Sequence, residues 1–296
     1  MQNNIQESIE RDATPFSLKA SVILLIVGVG VGYMITSMFA AASFAVTYMA
    51  KLNWLGSFIS KFGLLVGTLS FILPAFFYMK RQRKLLVPTF RINTISTNVL
   101  LSTLIFSLGL FVATDAVDRV VAPVINGFLD RTIGALSPEL MSDRILEKLM
   151  QEFKLNDWIT GSMLVLAAVF AAGFAEEMLM RGMFQGALEK KYSAAAAIII
   201  SSLVFSMIHL NPWGGIQIFV IALFLGIVAW RTNSIVPTII MHGMNNGLVI
   251  LFNNLEPETV AWYGDKTQIE SNVMIIGLLL AFVGLLGIFI FSKNKQ

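Results

Sequence analysis

Charged residues are absent from seven long stretches of the chain, at 20–50, 62–79, 92–114, 158–175, 192–230, 232–255 and 271–292. A helix needs about 20 mostly apolar residues to cross the hydrocarbon of a bilayer, and the 192–230 run is long enough for two. It divides at Asn211-Pro212-Trp213-Gly214-Gly215, because Pro and Gly interrupt a helix and Trp favours the membrane interface. The pattern predicts eight helices, at about 20–48, 58–79, 94–114, 158–188, 193–210, 214–230, 235–253 and 272–292. The expected fold class is all-α: a polytopic membrane protein with a polar site embedded in the membrane.

Composition narrows the chemistry. Of 296 residues, 56% are hydrophobic and 13% charged, against roughly 45–50% and about 25% in soluble domains. Nucleic-acid binding and a soluble Rossmann-type enzyme are excluded on that ground. With no cysteine, there is no disulfide framework, Cys-ligated zinc, thiol nucleophile, iron–sulfur cluster or palmitoylated Cys. The first 18 residues are polar and mixed in charge (Glu7, Glu10, Arg11, Asp12). The apolar run behind them covers 31 residues, too long for the core of a signal peptide, and reads as an uncleaved first helix.

Loop charges orient the chain. With the N-terminus inside and loops alternating, thirteen Lys/Arg fall inside and eight outside. The inside set is Arg11, Lys19, Lys80, Arg81, Arg83, Lys84, Arg91, Arg181, Lys190, Lys191, Arg231, Lys293 and Lys295. The outside set is Lys51, Lys61, Arg119, Arg131, Arg144, Lys148, Lys154 and Lys266. The cluster from Lys80 to Arg91 occupies a short loop, where positive charge best predicts the cytoplasmic side. Both termini are therefore expected in the cytoplasm. The connection 115–157 is long. Within it, Ser137-Pro138-Glu139 resembles a helix start, and Met141, Ile145, Leu146, Leu149, Met150 and Phe153 recur with helical period. It is expected to be an amphipathic helix on the outer rim, or a flap over the membrane site. Three units result: 1–157 with three spans and the amphipathic segment, 158–253 as the polar-site core, and 254–296 with the last span.

Ionisable residues inside a membrane cost about 2.5–3.5 kcal/mol each on insertion scales and are candidates for function by default. They fall into three clusters. In the first, Glu176-Glu177-Met178-Leu179-Met180-Arg181, Glu177 and Arg181 are four apart and pair on one helical face. Glu176 then faces a different partner, a separation that suits acid–base work. The second, Phe205-Ser206-Met207-Ile208-His209, carries Phe205 one turn before His209. Glu176 lies 15 residues before Lys191 and His209 lies 18 after it. Both are thus about 22–27 Å from the same turn, level with each other, as a water-activating pair requires. The third, His242-Gly243-Met244-Asn245-Asn246, projects His242 and Asn246 from one face. Asn246 suits donation to a developing oxyanion, although for this cluster by itself hydrogen bonding between helices is the favoured reading of both residues. From Ile235, His242 counts only about 10 Å in and Asn246 about 16 Å. These depths meet the others only if Arg181 to Lys190 runs partly below the hydrocarbon.

The order Glu-Glu-x-x-x-Arg, Phe-x-x-x-His, His-x-x-x-Asn on three apolar helices resembles the CPBP family, the CAAX prenyl endopeptidases and bacteriocin-processing or immunity proteins also called Abi. The resemblance covers about 158–253; Met180 stands where a bulkier residue, often Phe, is expected. It implies an intramembrane endopeptidase in which Glu176 is the general base with His209 its partner. It also implies that His242 and Asn246 stabilise the oxyanion, and that Glu177 and Arg181 orient the site, with Phe205 in support. The implied partners are a membrane-associated peptide or protein and the lipid bilayer, with no nucleic acid. The family is often labelled metalloprotease, and a zinc would be held by Glu176, His209 and His242. No helix carries the His-Glu-x-x-His pair of zinc hydrolases, and metal-free catalysis with no cofactor is the preferred expectation. The alternative function is a non-hydrolytic immunity or scaffold protein of the same family. A proton-coupled transporter has no internal repeat to support it.

The orientation can be tested directly, because cysteines can be introduced one at a time into a chain that has none. Cysteine in place of Lys190 is expected to react with an impermeant thiol reagent only from the cytoplasmic side, and in place of Glu258 only from the opposite side. The reverse labelling would overturn the charge argument.

Overall fold

A computed structural model describes residues 16–265 and 267–292. Arg11, Lys266, Lys293 and Lys295 of the charge count, and both termini, lie outside the described residues. Among the described residues the fold is all helix and no strand, with one isolated bridge between Gly264 and Ile269.

Helix α1 (Leu18–Phe44) starts at Ser17, whose side chain accepts from the Ala20 amide, and runs on into π-helical Ala45–Met49. Helix α2 (Asn53–Ser70) breaks at Phe71-Ile72 before α3 (Leu73–Arg81). Pro74 sits in the first turn of α3, where its missing N–H costs no helical bond. Ser96 caps α4 (Thr97–Thr132), and α5 (Ser142–Glu152) follows two short 3₁₀ turns. Asp157 accepts from the amides of Ile159 and Thr160 to start the long helix α6 (Trp158–Glu189). Its carboxyl is held below the ordinary Asp value, first by the hydrogen bond from the Thr160 hydroxyl and then by the Thr160 amide. Helices α7 (Ala194–Ile208), α8 (Gly215–Thr232), α9 (Val236–Asn254) and α10 (Ser271–Phe291) complete the bundle.

Each predicted span has a helical counterpart, and six are long and apolar enough to cross a membrane: Leu18–Met49, Asn53–Arg81, Thr97–Leu136, Trp158–Glu189, Gly215–Thr232 and Ser271–Phe291. The other two counterparts are α7, with 15 residues, and α9, whose buried face includes Thr238 and His242. These are the helices that carry the two histidines. The protein is thus an all-α, polytopic membrane protein, and large apolar side chains such as Phe77, Phe170, Phe282 and Ile290 face outward.

The expected connection 115–157 is mostly helical. Helix α4 continues to Thr132, 18 residues past the end of the uncharged run, because its first charges satisfy one another. Asp115 and Arg119 pair one turn apart at 3.0 Å, and the Tyr263 hydroxyl donates to the same Asp115 oxygen at 2.8 Å. The Ser137-Pro138-Glu139 signal produces only a 3₁₀ turn, and α5 begins later, with the Ser142 amide donating to Asp130.

Helix ends gather at two opposite levels. At one, Arg91 bonds Glu189 and Asn233, and Arg231 bonds Ser292. At the other, Lys61 pairs with Glu152, Trp213 with Ser142, and Lys154 with the Asn253 carbonyl. Helices approach closely where side chains are missing. A Cβ on Gly32 of α1 would lie 1.8 Å from the Phe71 ring, and one on Gly109 of α4 would lie 2.1 Å from the Ala281 amide nitrogen of α10. Small residues of this kind let membrane helices pack through dispersion without any hydrophobic drive between them.

Candidate active site

The site is built on a charged pair inside the bundle. Arg181 Nη1 donates to Glu177 Oε1 at 2.7 Å, with the two side chains 1% and 0% exposed. Breaking such a pair strands a charge in apolar surroundings, so its neighbours are constrained to satisfy it. Arg181 Nη2 reaches the Ala222 carbonyl of α8 at 3.2 Å, and the guanidinium lies over the Phe205 ring of α7 at 4.3 Å. Glu177 Oε1 also receives His242 Nδ1 of α9 at 3.0 Å. A carboxylate paired with arginine can only accept, so the Nδ1 atom of His242 carries hydrogen and Nε2 is turned toward Glu176. Helix α6 supplies this geometry through a π-helical stretch, Met178–Gln185, directly after Glu177. Its wider turn is of the kind found at functional positions in helices.

His209 is oriented by the end of its own helix. The last four carbonyls of a helix lack intrahelical partners, and in α7 each finds a different one. Phe205 O bonds His209 Nδ1 at 2.7 Å, Ser206 O the His209 amide at 3.3 Å and Met207 O the Leu210 amide at 3.1 Å. Ile208 O accepts from the Tyr33 hydroxyl of α1. Leu210 turns into the left-handed region at φ 51°, which stops the helix. Since a carbonyl only accepts, Nδ1 of His209 is protonated and Nε2 is its free face.

Glu176 Oε2 lies between the two imidazoles, 3.8 Å from His209 Nε2 and 4.0 Å from His242 Nε2. It is buried and has no hydrogen-bond partner among the described residues. Three polar atoms thus face one another, too far apart to bond directly and close enough to hold a small oxygen species. The Phe205 ring flanks both histidines, with centroids 4.6 Å and 5.9 Å away.

Six of the seven residues singled out by sequence meet here. Asn246 stands one turn beyond His242, and its amide donates to the Ala168 carbonyl of α6 at 2.8 Å. The two depth counts start from unlike residues: Ile235 is buried, with its amide bonded to the Arg91 carbonyl, whereas Lys191 is exposed. Residues 181–188 of α6 are wholly buried.

Four supporting residues, Gln185, Glu189, Arg91 and Tyr33, lie outside the three motifs. Gln185 bonds Glu189 and the Gly226 carbonyl, and Arg91 bonds Glu189 and the carbonyls of Ala229 and Arg181. The four-residue spacing Glu177, Arg181, Gln185, Glu189 was the available signal for the first. No spacing pointed to Arg91 or Tyr33, which reach the site from other helices.

The donor set was tested against zinc. Both histidines give Nδ1 to an oxygen acceptor, as metal-bound histidines do. However, ligands about 2.0–2.1 Å from a tetrahedral zinc sit ~3.4 Å from each other, and both spacings from Glu176 are wider. No group of three or more His, Asp or Glu among the described residues is arranged to hold a metal. The chemistry suits zinc and the spacing does not.

An acid between two imidazoles inside a helical membrane bundle can exchange protons with a small polar molecule held between them. Residues 158–248, about a third of the chain, match the family model described as Type II CAAX prenyl endopeptidase Rce1-like. That segment carries all three motifs, and the resemblance read from them holds over it. No curated protein and no solved structure matches the chain.

Replacing Arg181 with Met is expected to destabilise the protein by about 3–5 kcal/mol, the cost of leaving a buried partner charge unpaired. Arg181→Lys should fall between, since an ammonium keeps the charge but not the fork that reaches both Glu177 and Ala222. Thermal unfolding in detergent measures both, and an unchanged midpoint for the Met variant would contradict the argument.

Proposed function

We propose that the protein is an intramembrane endopeptidase that hydrolyses a membrane-associated peptide by activated water. The Rce1-like segment supports the class, and its description points to prenylated CAAX peptides as the first substrates to try. The observation that carries the mechanism is the buried Glu176 carboxylate oxygen, without a partner and faced by two imidazole nitrogens. In this reading a water molecule sits between Glu176 and His209. Glu176 takes its proton as the oxygen attacks the peptide carbonyl, and His209 Nε2 holds the same water in line. The oxyanion that forms is stabilised by His242 and Asn246. As an imidazolium, His242 donates Nδ1–H to Glu177 and Nε2–H to the oxyanion. Asn246 has one amide hydrogen engaged by Ala168 and uses the other. Collapse of the intermediate breaks the C–N bond, and Glu176 returns the proton to the leaving amine. Water is consumed, and every proton is accounted for by the two products.

Glu177 and Arg181 fix His242 without taking part in proton transfer. The membrane supplies a dry surrounding in which these hydrogen bonds act more strongly than in water. Every step uses the chain's own residues, and we propose that no metal is needed.

With a fluorogenic prenylated CAAX peptide in proteoliposomes, the wild-type protein is expected to turn over. Glu176→Gln, His209→Ala and Asn246→Ala should each lower kcat by at least about 10²-fold, the scale of general-base and oxyanion-donor losses, while still inserting in the membrane. Full activity in Glu176→Gln would sink the mechanism. A wild-type protein that binds the peptide without cleaving it would favour the non-hydrolytic reading.

Metal dependence has a separate expected outcome. The purified protein should hold substoichiometric zinc by elemental analysis and keep its activity after prolonged chelation. Activity lost to chelator and restored by zinc would reverse the metal-free assignment, since a catalytic zinc is needed to polarise its water.

A further inference from the structure

We infer that Tyr33, on the first helix and far outside the matched segment, is a positioning residue for the Glu176–His209 pair. The inference rests on the proposed role of that pair. Its starting point is the C-terminal end of α7. Three of the four terminal carbonyls there are satisfied from within residues 205–210, and the fourth, Ile208 O, is satisfied among the described residues by the Tyr33 hydroxyl. Ile208 is the residue directly before His209. The bond therefore fastens α1 to the peptide unit that joins Ile208 to His209. A helix end left with an orphan carbonyl inside a membrane has no water to turn to, and fraying there would swing the imidazole away from Glu176.

Tyr33 is itself held in place. Its ring meets Phe71 at 5.8 Å, at the break between α2 and α3. Helix α1 reaches Phe71 because Gly28 and Gly32 have no side chain: an added Cβ would lie 2.3 Å from the Phe71 carbonyl oxygen at one and 1.8 Å from its ring at the other. The Tyr33 hydroxyl has one hydrogen to donate. Its single proton is committed to Ile208, so it offers Glu176 no hydrogen bond, and the Oε2 atom is left for water. One hydroxyl thus fixes the distance of His209 from the base and leaves the base unquenched. The chemistry proposed for residues 158–248 depends in this way on the N-terminal helix.

The test is Tyr33→Phe, which keeps the ring contact with Phe71 and removes only the hydroxyl, assayed with the same prenylated peptide in proteoliposomes. One hydrogen bond of ordinary strength corresponds to about a five- to ten-fold loss. It is expected in kcat, with KM unchanged and the pH–rate profile displaced from wild type. A purely structural tyrosine would lower the melting temperature and the fraction of active protein, leaving the pH profile and the kcat of the active fraction as they were. That result, or wild-type kinetics, would overturn the inference. Should Tyr33→Phe accumulate poorly, Tyr33→Gln and Tyr33→Leu compared at equal folded protein serve instead. The amide of Gln can donate to Ile208, so Gln is expected to exceed Leu in kcat, and equality would count against the role. Glu176→Gln is run in parallel. If it remains active, the water-activation reading fails whatever Tyr33 does; if it is inactive while Tyr33→Phe behaves as wild type, only the positioning role falls.

Discussion

The buried ion pair between Glu177 and Arg181 is the constraint around which this bundle is arranged. Neither group can reach water, and a charge without partners in such surroundings would ionise only at high cost. Four helices contribute partners to them, α6 supplying the pair, α7 the Phe205 ring, α8 the Ala222 carbonyl and α9 His242, while Glu177 Oε2 and Arg181 Nε have no hydrogen-bond partner among the described residues. A buried pair of this kind is weak evidence of net stability, because desolvation offsets much of the attraction. Its consequence here is positional. Three of these helices, α6, α7 and α9, also bring a site residue into register, so the acid, the two imidazoles and the ring converge as a by-product of charge neutralisation.

Below the pair, the same logic continues along one face of α6. Glu177, Arg181, Gln185 and Glu189 follow at intervals of four and form a polar row inside the protein. Each meets a group from outside its helix: His242, Ala222, Gly226 and Arg91. Carbonyls at Ala222, Gly226 and Ala229 of α8 accept from this network. The row links the site to the basic end of the bundle without exposing a polar atom to lipid, as the absence of water in the hydrocarbon demands.

The second constraint is the short helix α7. At 15 residues it rises about 22 Å, less than the ~30 Å of a bilayer core. It stops where catalysis is proposed to occur. Irregular backbone at such a depth is tolerated only where the protein itself satisfies it, and here the satisfying groups are the His209 ring, two backbone amides and a tyrosine from α1. A functional residue at a helix end gains orientation from groups that the helix must find anyway.

The approximate places of the six membrane-length helices followed from charge-free runs, because in a bilayer an uncharged stretch of sufficient length has few alternatives to a helix. The pairing of Glu177 with Arg181 followed from their spacing, since four residues place two side chains on one face whatever surrounds them. The common level of Glu176 and His209 followed from counting to a shared turn. What sequence could not contain was any relation that crosses between helices without a shared turn. The depth of His242 was counted from Ile235, whose amide is tied to the Arg91 carbonyl, a contact that no count along the chain contains. The end of α4 came out short because Arg119 and Tyr263 neutralise Asp115, and a charge stops a membrane helix only when it is unsatisfied. Tyr33 left no trace in any motif, as its role depends on two glycines that let α1 approach Phe71. Local spacing is set by the helical repeat and is legible from the chain alone, whereas contacts between helices are set by which surfaces can meet, and only the packed bundle decides that.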